Sequence, residues 1–174
     1  VCRQLDGVPL AIELAAARLP LLGLSGLQAR LDERLHVLTQ HRRGSVARHQ
    51  TLRAALEWSH ALLGEAEQRV LRRLAVFVGG FTLQTAQRLA QDARTSDWQV
   101  FEILGELVEK SLVVAEGESN RRFCLLESPR RYALERLQEA GELEAMRERH
   151  ARALDAALTV PREDERRWRT PPAA

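Results

Sequence analysis

One stretch of this chain reads as β-structure, and it follows a series of segments that read as helix. Residues 111–116, SLVVAE, and 121–127, RRFCLLE, are short apolar runs separated by the polar turn GESN. Such a pair predicts a β-hairpin. Upstream, Leu52, Ala55, Leu56, Ser59, Leu62 and Leu63 recur on one helical face. After Gly64, a second face carries Val70, Leu71, Leu74, Phe77 and Val78. Gly79 and Gly80 break the pattern. Thr82 then suits the cap of a short helix to about Gln91. Ser96 with Gln99 has the capping-box spacing for a helix from about Asp97 to Lys110. Its inner face is expected to carry Trp98, Phe101, Leu104, Leu107 and Val108. Helices followed by a two-stranded hairpin give the order of a winged helix-turn-helix, here around residues 50–127.

The flanks are helical as well. Residues 9–19, PLAIELAAARL, predict a helix with Pro9 at its first position and Gly7 allowing a tight turn before it. Pro20 is expected to end it. Ser25 is expected to cap a second helix with Leu27, Leu31, Leu35 and Leu38 along one stripe. Residues 39–50, TQHRRGSVARHQ, read as a polar loop. Beyond the hairpin, Ser128-Pro129 opens a helix stopped by Gly141, and a last helix follows from Glu142. The tail from Val160 is rich in proline and charge and is expected to be loose. The fold class is therefore mainly α. A helical subdomain (1–45) precedes a winged-helix domain with a two-stranded wing (46–141), and a further helical region follows (142–174).

Composition narrows function by exclusion. Basic and acidic residues number 26 and 24, a balance that gives no general attraction to nucleic acid or membrane. No apolar run approaches the ~20 residues of a membrane span. The only cysteines, Cys2 and Cys124, make no zinc or disulfide framework, so a reducing, cytoplasmic setting is expected. Cys124 alternates within a strand and is expected to be a small core residue. His36, His41, His49, His60 and His150 offer no i, i+4 pair for a metal. Lys110 is the only lysine and lacks the glycines of a P-loop. No catalytic residue and no metal ligand is assigned, and the carboxylates read as solvated surface. The helix before the wing carries Asp97, Glu102, Glu106 and Glu109 against Lys110 alone, the wrong sign for phosphates. Arg121 and Arg122 of the hairpin are a weak counterweight, so direct DNA binding by this segment is not expected.

Several stretches, in order, resemble one family. LDGVPLAIELAAARL resembles the Gly-x-Pro segment of NB-ARC-type signal-transduction ATPases (AP-ATPases), the STAND class. RHQTLRAALEWSHALLGEAEQRVLRRLAVFVGGFTLQTA resembles the start of the winged-helix domain in their bacterial regulators. LVEKSLVV and FCLLESPRRYALERLQEAGE resemble its end, so the likeness covers roughly residues 3–150.

The resemblance implies a piece of a longer regulator, an expectation that also fits a first residue of Val. It implies a P-loop domain and Mg2+-binding carboxylates upstream, and a helical, tetratricopeptide-like sensor downstream. ADP or ATP with Mg2+ would be the cofactor of the intact protein, and none is expected for this chain alone. The Gly-x-Pro loop would lie against the adenine end of ADP, which falls on Gly7, Val8, Pro9 and Leu10. The family's Met-His-Asp motif, whose His approaches the β-phosphate, falls on Leu125, Leu126 and Glu127. Leu126 cannot donate a hydrogen bond, and Arg130 or Arg131 are the nearby donors. The implied role is a regulatory switch that holds the nucleotide module closed.

Overall fold

The structure, a computed structural model, describes residues 5, 8–38, 45–117 and 121–159. Gly7 and the tail from residue 160 lie outside these residues. Helix α1 (Pro9–Ala16) starts as its sequence predicts, with Val8 as the cap and Pro9 at the first position. Pro20 does not terminate it. The helix has already ended at Ala16, and Pro20 lies in the first turn of α2 (Leu19–Leu38), where a missing N–H costs nothing. Helix α2 is broken at Gly23, with φ 64° and ψ 172°, a conformation open essentially to glycine alone. Helix α3 (Ser45–Ala61) takes in residues 45–50, so the expected polar loop is shorter by these six. Val46, Arg48 and Gln50 carry no helix-breaking chemistry, and polarity by itself does not end a helix.

Helices α4 (Glu65–Leu74), α5 (Leu83–Ala90) and α6 (Asp97–Glu109) follow. Both predicted caps are made: the hydroxyls of Thr82 and Ser96 accept from the N–H groups of Thr85 and Gln99. Ser111, at φ 56°, turns the chain out of α6 into β1 (Val114–Glu116). Strand β1 pairs antiparallel with β2 (Arg122–Cys124), with Ala115 opposite Phe123. Phe81 adds a one-residue third strand, exchanging two 2.8 Å backbone hydrogen bonds with Phe123. Helix α7 (Glu127–Glu139) packs on α4, and α8 (Leu143–Thr159) packs on α5.

One apolar cluster runs from Leu5, Ala11 and Leu14 through Trp58 to Val70, Leu71, Leu74, Leu89, Leu104 and Leu107. Each such leucine contributes about 1.5–3 kcal/mol by leaving water. The inner stripe of α6 is Val100, Ile103, Leu104 and Leu107. Trp98 and Phe101, expected inside, are 65% and 45% exposed. At 100° per residue, position 98 falls opposite that stripe and position 101 on its flank. Val78 is likewise exposed, because α4 ends at Leu74 and the helical period no longer applies. Cys124 is half-buried rather than core, and burial and then Glu116 raise its thiol pKa.

Polar ties join the helices where apolar packing alone would not fix them. The buried Arg18 donates to the Ser59 carbonyl at 3.2 Å, satisfying a last-turn carbonyl of α3. Arg73, also buried, reaches Asp92 at 2.8 Å, Glu142 at 2.9 Å and the Ala90 carbonyl at 2.8 Å. Arg72 shares Glu142. Arg149 of α8 donates to the carbonyls of Arg88 and Gln91 at the end of α5.

Candidate functional site

Two helix starts carry the residues singled out in the sequence. Val8, Pro9 and Leu10 open α1, with the Val8 N–H donating to the Leu5 carbonyl at 2.9 Å. Pro9 is exposed, while Val8 and Leu10 are half-buried against the core. Leu126 is the N-cap residue of α7, with no side-chain cap, and Glu127 is its first helical residue. Helices α1 and α7 both pack on α3. Among the described residues no hydrogen bond or ion pair joins Val8–Leu10 to Leu126–Glu127.

Leu126 is 42% exposed, so it is not part of the core. It ends a gradient along β2 and beyond: Phe123, Cys124 and Leu125 are half-buried, and the chain then turns outward at the helix cap. Glu127 pairs with Arg130 at 3.3 Å and Arg131 at 3.5 Å. Arg130 also reaches the Ala75 carbonyl at 3.5 Å and is held between two elements. The Arg131 side chain remains largely exposed.

Beside them a cleft of about 450 Å³ opens between α3 and α7. Its apolar lining is Leu52, Leu56 and Tyr132, and its polar lining includes Arg53, Glu127, Ser128 and Arg131. Arg53 is committed to Glu57 and Glu135. The cleft thus offers an apolar surface beside a helix start and one guanidinium, Arg131, engaged among the described residues only by Glu127 at 3.5 Å. The sequence did not point to it, because its walls are 75 residues apart along the chain. His60 lies nearby, edge-on to Tyr132 at 5.4 Å. Burial first, then Arg136 and Arg72, lower its pKa.

The second surface of interest is the outer face of α6. Asp97, Trp98, Phe101, Glu102, Gly105, Glu106 and Glu109 are all exposed there. Lys110 bonds Glu67 and, at 3.0 Å, Glu106, so the lysine is spent on the domain's own carboxylates. On the wing, Arg122 donates to the Gly80 carbonyl at 2.6 Å. Arg121 is exposed.

Among the described residues, no single helix is long and apolar enough to cross a membrane. Residues 63–138 match the family described as "Winged helix-turn-helix domain". A Mycobacterium tuberculosis (strain H37Rv) protein named "Putative HTH-type transcriptional regulator Rv0890c" is 45% identical over 172 residues. That alignment covers 95% of this chain and 19% of the relative. A Mycobacterium bovis protein named "Putative HTH-type transcriptional regulator Mb0914c" has the same identity and coverage. The M. tuberculosis "Uncharacterized protein Rv0894" is 46% identical over 166 residues, covering 93% of this chain and 42% of the relative. The chain spans less than half the length of these relatives. With the order α4, Phe81 bridge, α5, α6 and β1–β2 hairpin, residues 63–138 form a winged helix-turn-helix domain.

Proposed function

We propose that this chain is a regulatory switch module of a bacterial, cytoplasmic transcription regulator controlled by ATP or ADP. Its partners would be a P-loop domain upstream and a helical sensor region downstream in the same protein. The observation that carries the reading is the exposure of Leu126 at the start of α7, beside the α3–α7 cleft. In the family resembled, this position faces bound nucleotide. A leucine 42% exposed at that point is free to pack against a neighbouring domain. Exposed Leu19, Leu21 and Leu24, around the break in α2, add apolar surface just after α1 in the chain. Leu126 has no donor for a phosphate, so the winged helix would hold the ADP state by packing. Differential affinity of the two nucleotide states for that packing would then set the switch.

ADP release from the intact protein tests this. Leu126→His slows release if phosphate is within reach, and speeds release if the leucine packs against the nucleotide module. Slowed release without a lowered melting temperature sinks the packing reading, and so does a release rate unchanged from wild type. Nucleotide contacts through Val8, Pro9 and Leu10 predict faster release on Pro9→Ala.

The second reading is direct DNA binding by the winged helix. The domain match and the names of the relatives favour it. Against it stand the four exposed carboxylates of α6, which would meet phosphates with Coulomb repulsion. Selection from random duplexes at physiological salt separates the two. Recovery of a motif that is lost on substituting Glu102 favours DNA.

A further inference from the structure

We infer that the outer face of α6 is a docking surface for a cationic, arginine-bearing segment of a protein. Two features of this face go unused by the domain's own packing among the described residues. Trp98 and Phe101 lie 65% and 45% exposed, their ring centroids 5.2 Å apart. Side chains of that size are stabilised by burial, and here the core does not take them. Gly105 stands in mid-helix on the same face, where a Cβ would meet nothing within 4 Å. Glycine in a helix costs about 0.5–1 kcal/mol relative to alanine. Among the described residues no neighbour requires it, whereas an outside partner approaching the helix closely would. Asp97, Glu102 and Glu109 are exposed around these residues, and Glu106, also exposed, is paired with Lys110 at 3.0 Å.

The charge selects the occupant. A nucleic acid carries the same sign as this face. A second copy docking by the same face would set carboxylates against carboxylates. A guanidinium satisfies both parts of the surface, because it stacks on aromatic rings and pairs with carboxylates. Gly105 leaves room for its stem to lie along the helix. The inference is independent of nucleotide control, since none of these residues touches α1 or the start of α7 by hydrogen bond or ion pair among the described residues.

The test uses the full chain and an arginine nonapeptide, followed by the indole N–H and backbone amide resonances. Lysine and glutamate nonapeptides and a 20-base-pair duplex are run alongside. The arginine peptide should shift Trp98 and the amides of α6, and should bind more tightly than the lysine peptide. Trp98→Ala should weaken it about fivefold. Gly105→Leu should weaken it comparably while leaving the melting temperature unchanged or higher, which separates docking from folding. The inference is overturned by any of four results: no binding of the arginine peptide at millimolar concentration, binding indifferent to both substitutions, tighter binding of the duplex through α6, or self-association abolished by Trp98→Ala.

Discussion

Replacing Arg73 with alanine should lower the melting temperature by about 5–10 °C. The guanidinium is nearly buried and holds Asp92, Glu142 and the Ala90 carbonyl, each within 2.9 Å. Removing one partner of a fully buried pair costs about 3–5 kcal/mol, and of an exposed pair about 0–1 kcal/mol. Here the side chain of Arg73 is 10% exposed and the two carboxylates 24%. The freed carboxylates therefore reach some water, and Glu142 keeps Arg72. An intermediate loss of about 2–3 kcal/mol follows, and for a chain of this size each kcal/mol is worth about 2–4 °C. Arg53→Ala is the control. Its partners Glu57 and Glu135 are about as open as Arg53 itself, so its loss should stay below about 1 kcal/mol.

Acid gives a second arm to the same experiment. Burial pushes the Asp92 pKa up, but the Arg94 N–H and the Arg73 guanidinium outweigh it and hold the carboxyl at about 2. A depressed carboxylate contributes stability above its unfolded pKa, and that contribution is lost as pH falls through the folded value. The gap between wild type and Arg73→Ala should thus narrow from about pH 4 toward pH 2. Calorimetric melting across that range is the assay. A melting point within about 2 °C of wild type at pH 7, or a gap that widens in acid, would refute the reasoning.

Further outcomes follow from the same physics. His60 and His150 are both held below the usual imidazole pKa, His60 by burial, Arg136 and Arg72, and His150 by burial alone. Their unfolded forms take up protons first, so melting temperature should fall as pH drops below about 6.5, and His60→Gln should flatten that slope. Gly23→Ala should cost about 1–3 kcal/mol through backbone strain alone, because no neighbour crowds its Cβ; chemical denaturation at equilibrium would measure it. Without a P-loop, this chain should bind ADP no more tightly than the high micromolar range, and calorimetric titration giving a low micromolar constant would contradict that.

The sequence was most legible where local chemistry decides the structure. The caps at Thr82 and Ser96 and the stop at Gly141 are each set by residues within one turn of one another, and the strands β1 and β2 fall on the two apolar runs of the expected hairpin. It was least legible where tertiary packing chooses among apolar residues. Trp98 and Phe101 look like core by composition, yet the stripe through Val100, Ile103, Leu104 and Leu107 takes α6's only inward face. The start of α7 was legible as a helix entrance, but not the cleft beside it, since Leu52 and Leu56 come from α3. No periodicity announces a meeting of residues so far apart. Arg18 and Arg73 also escaped notice, because an arginine on a helix reads as surface until its partners arrive from other elements.

The wing is braced from beyond the domain's own helices. Phe123 of β2 stacks on Phe81, Phe81 stacks on Phe77 at 4.6 Å, and Phe77 receives the edge of His150 from α8 at 4.8 Å. Four rings thus run in series from the hairpin to the last described helix. A chain cut after Gly141 would lose the outermost ring and open the side of Phe77 to water. It would also remove Arg149, the donor to two carbonyls at the end of α5. Helix α8 therefore works as a strut: a load that pulls it away uncovers an aromatic edge at one end, and the slack is felt at the wing at the other.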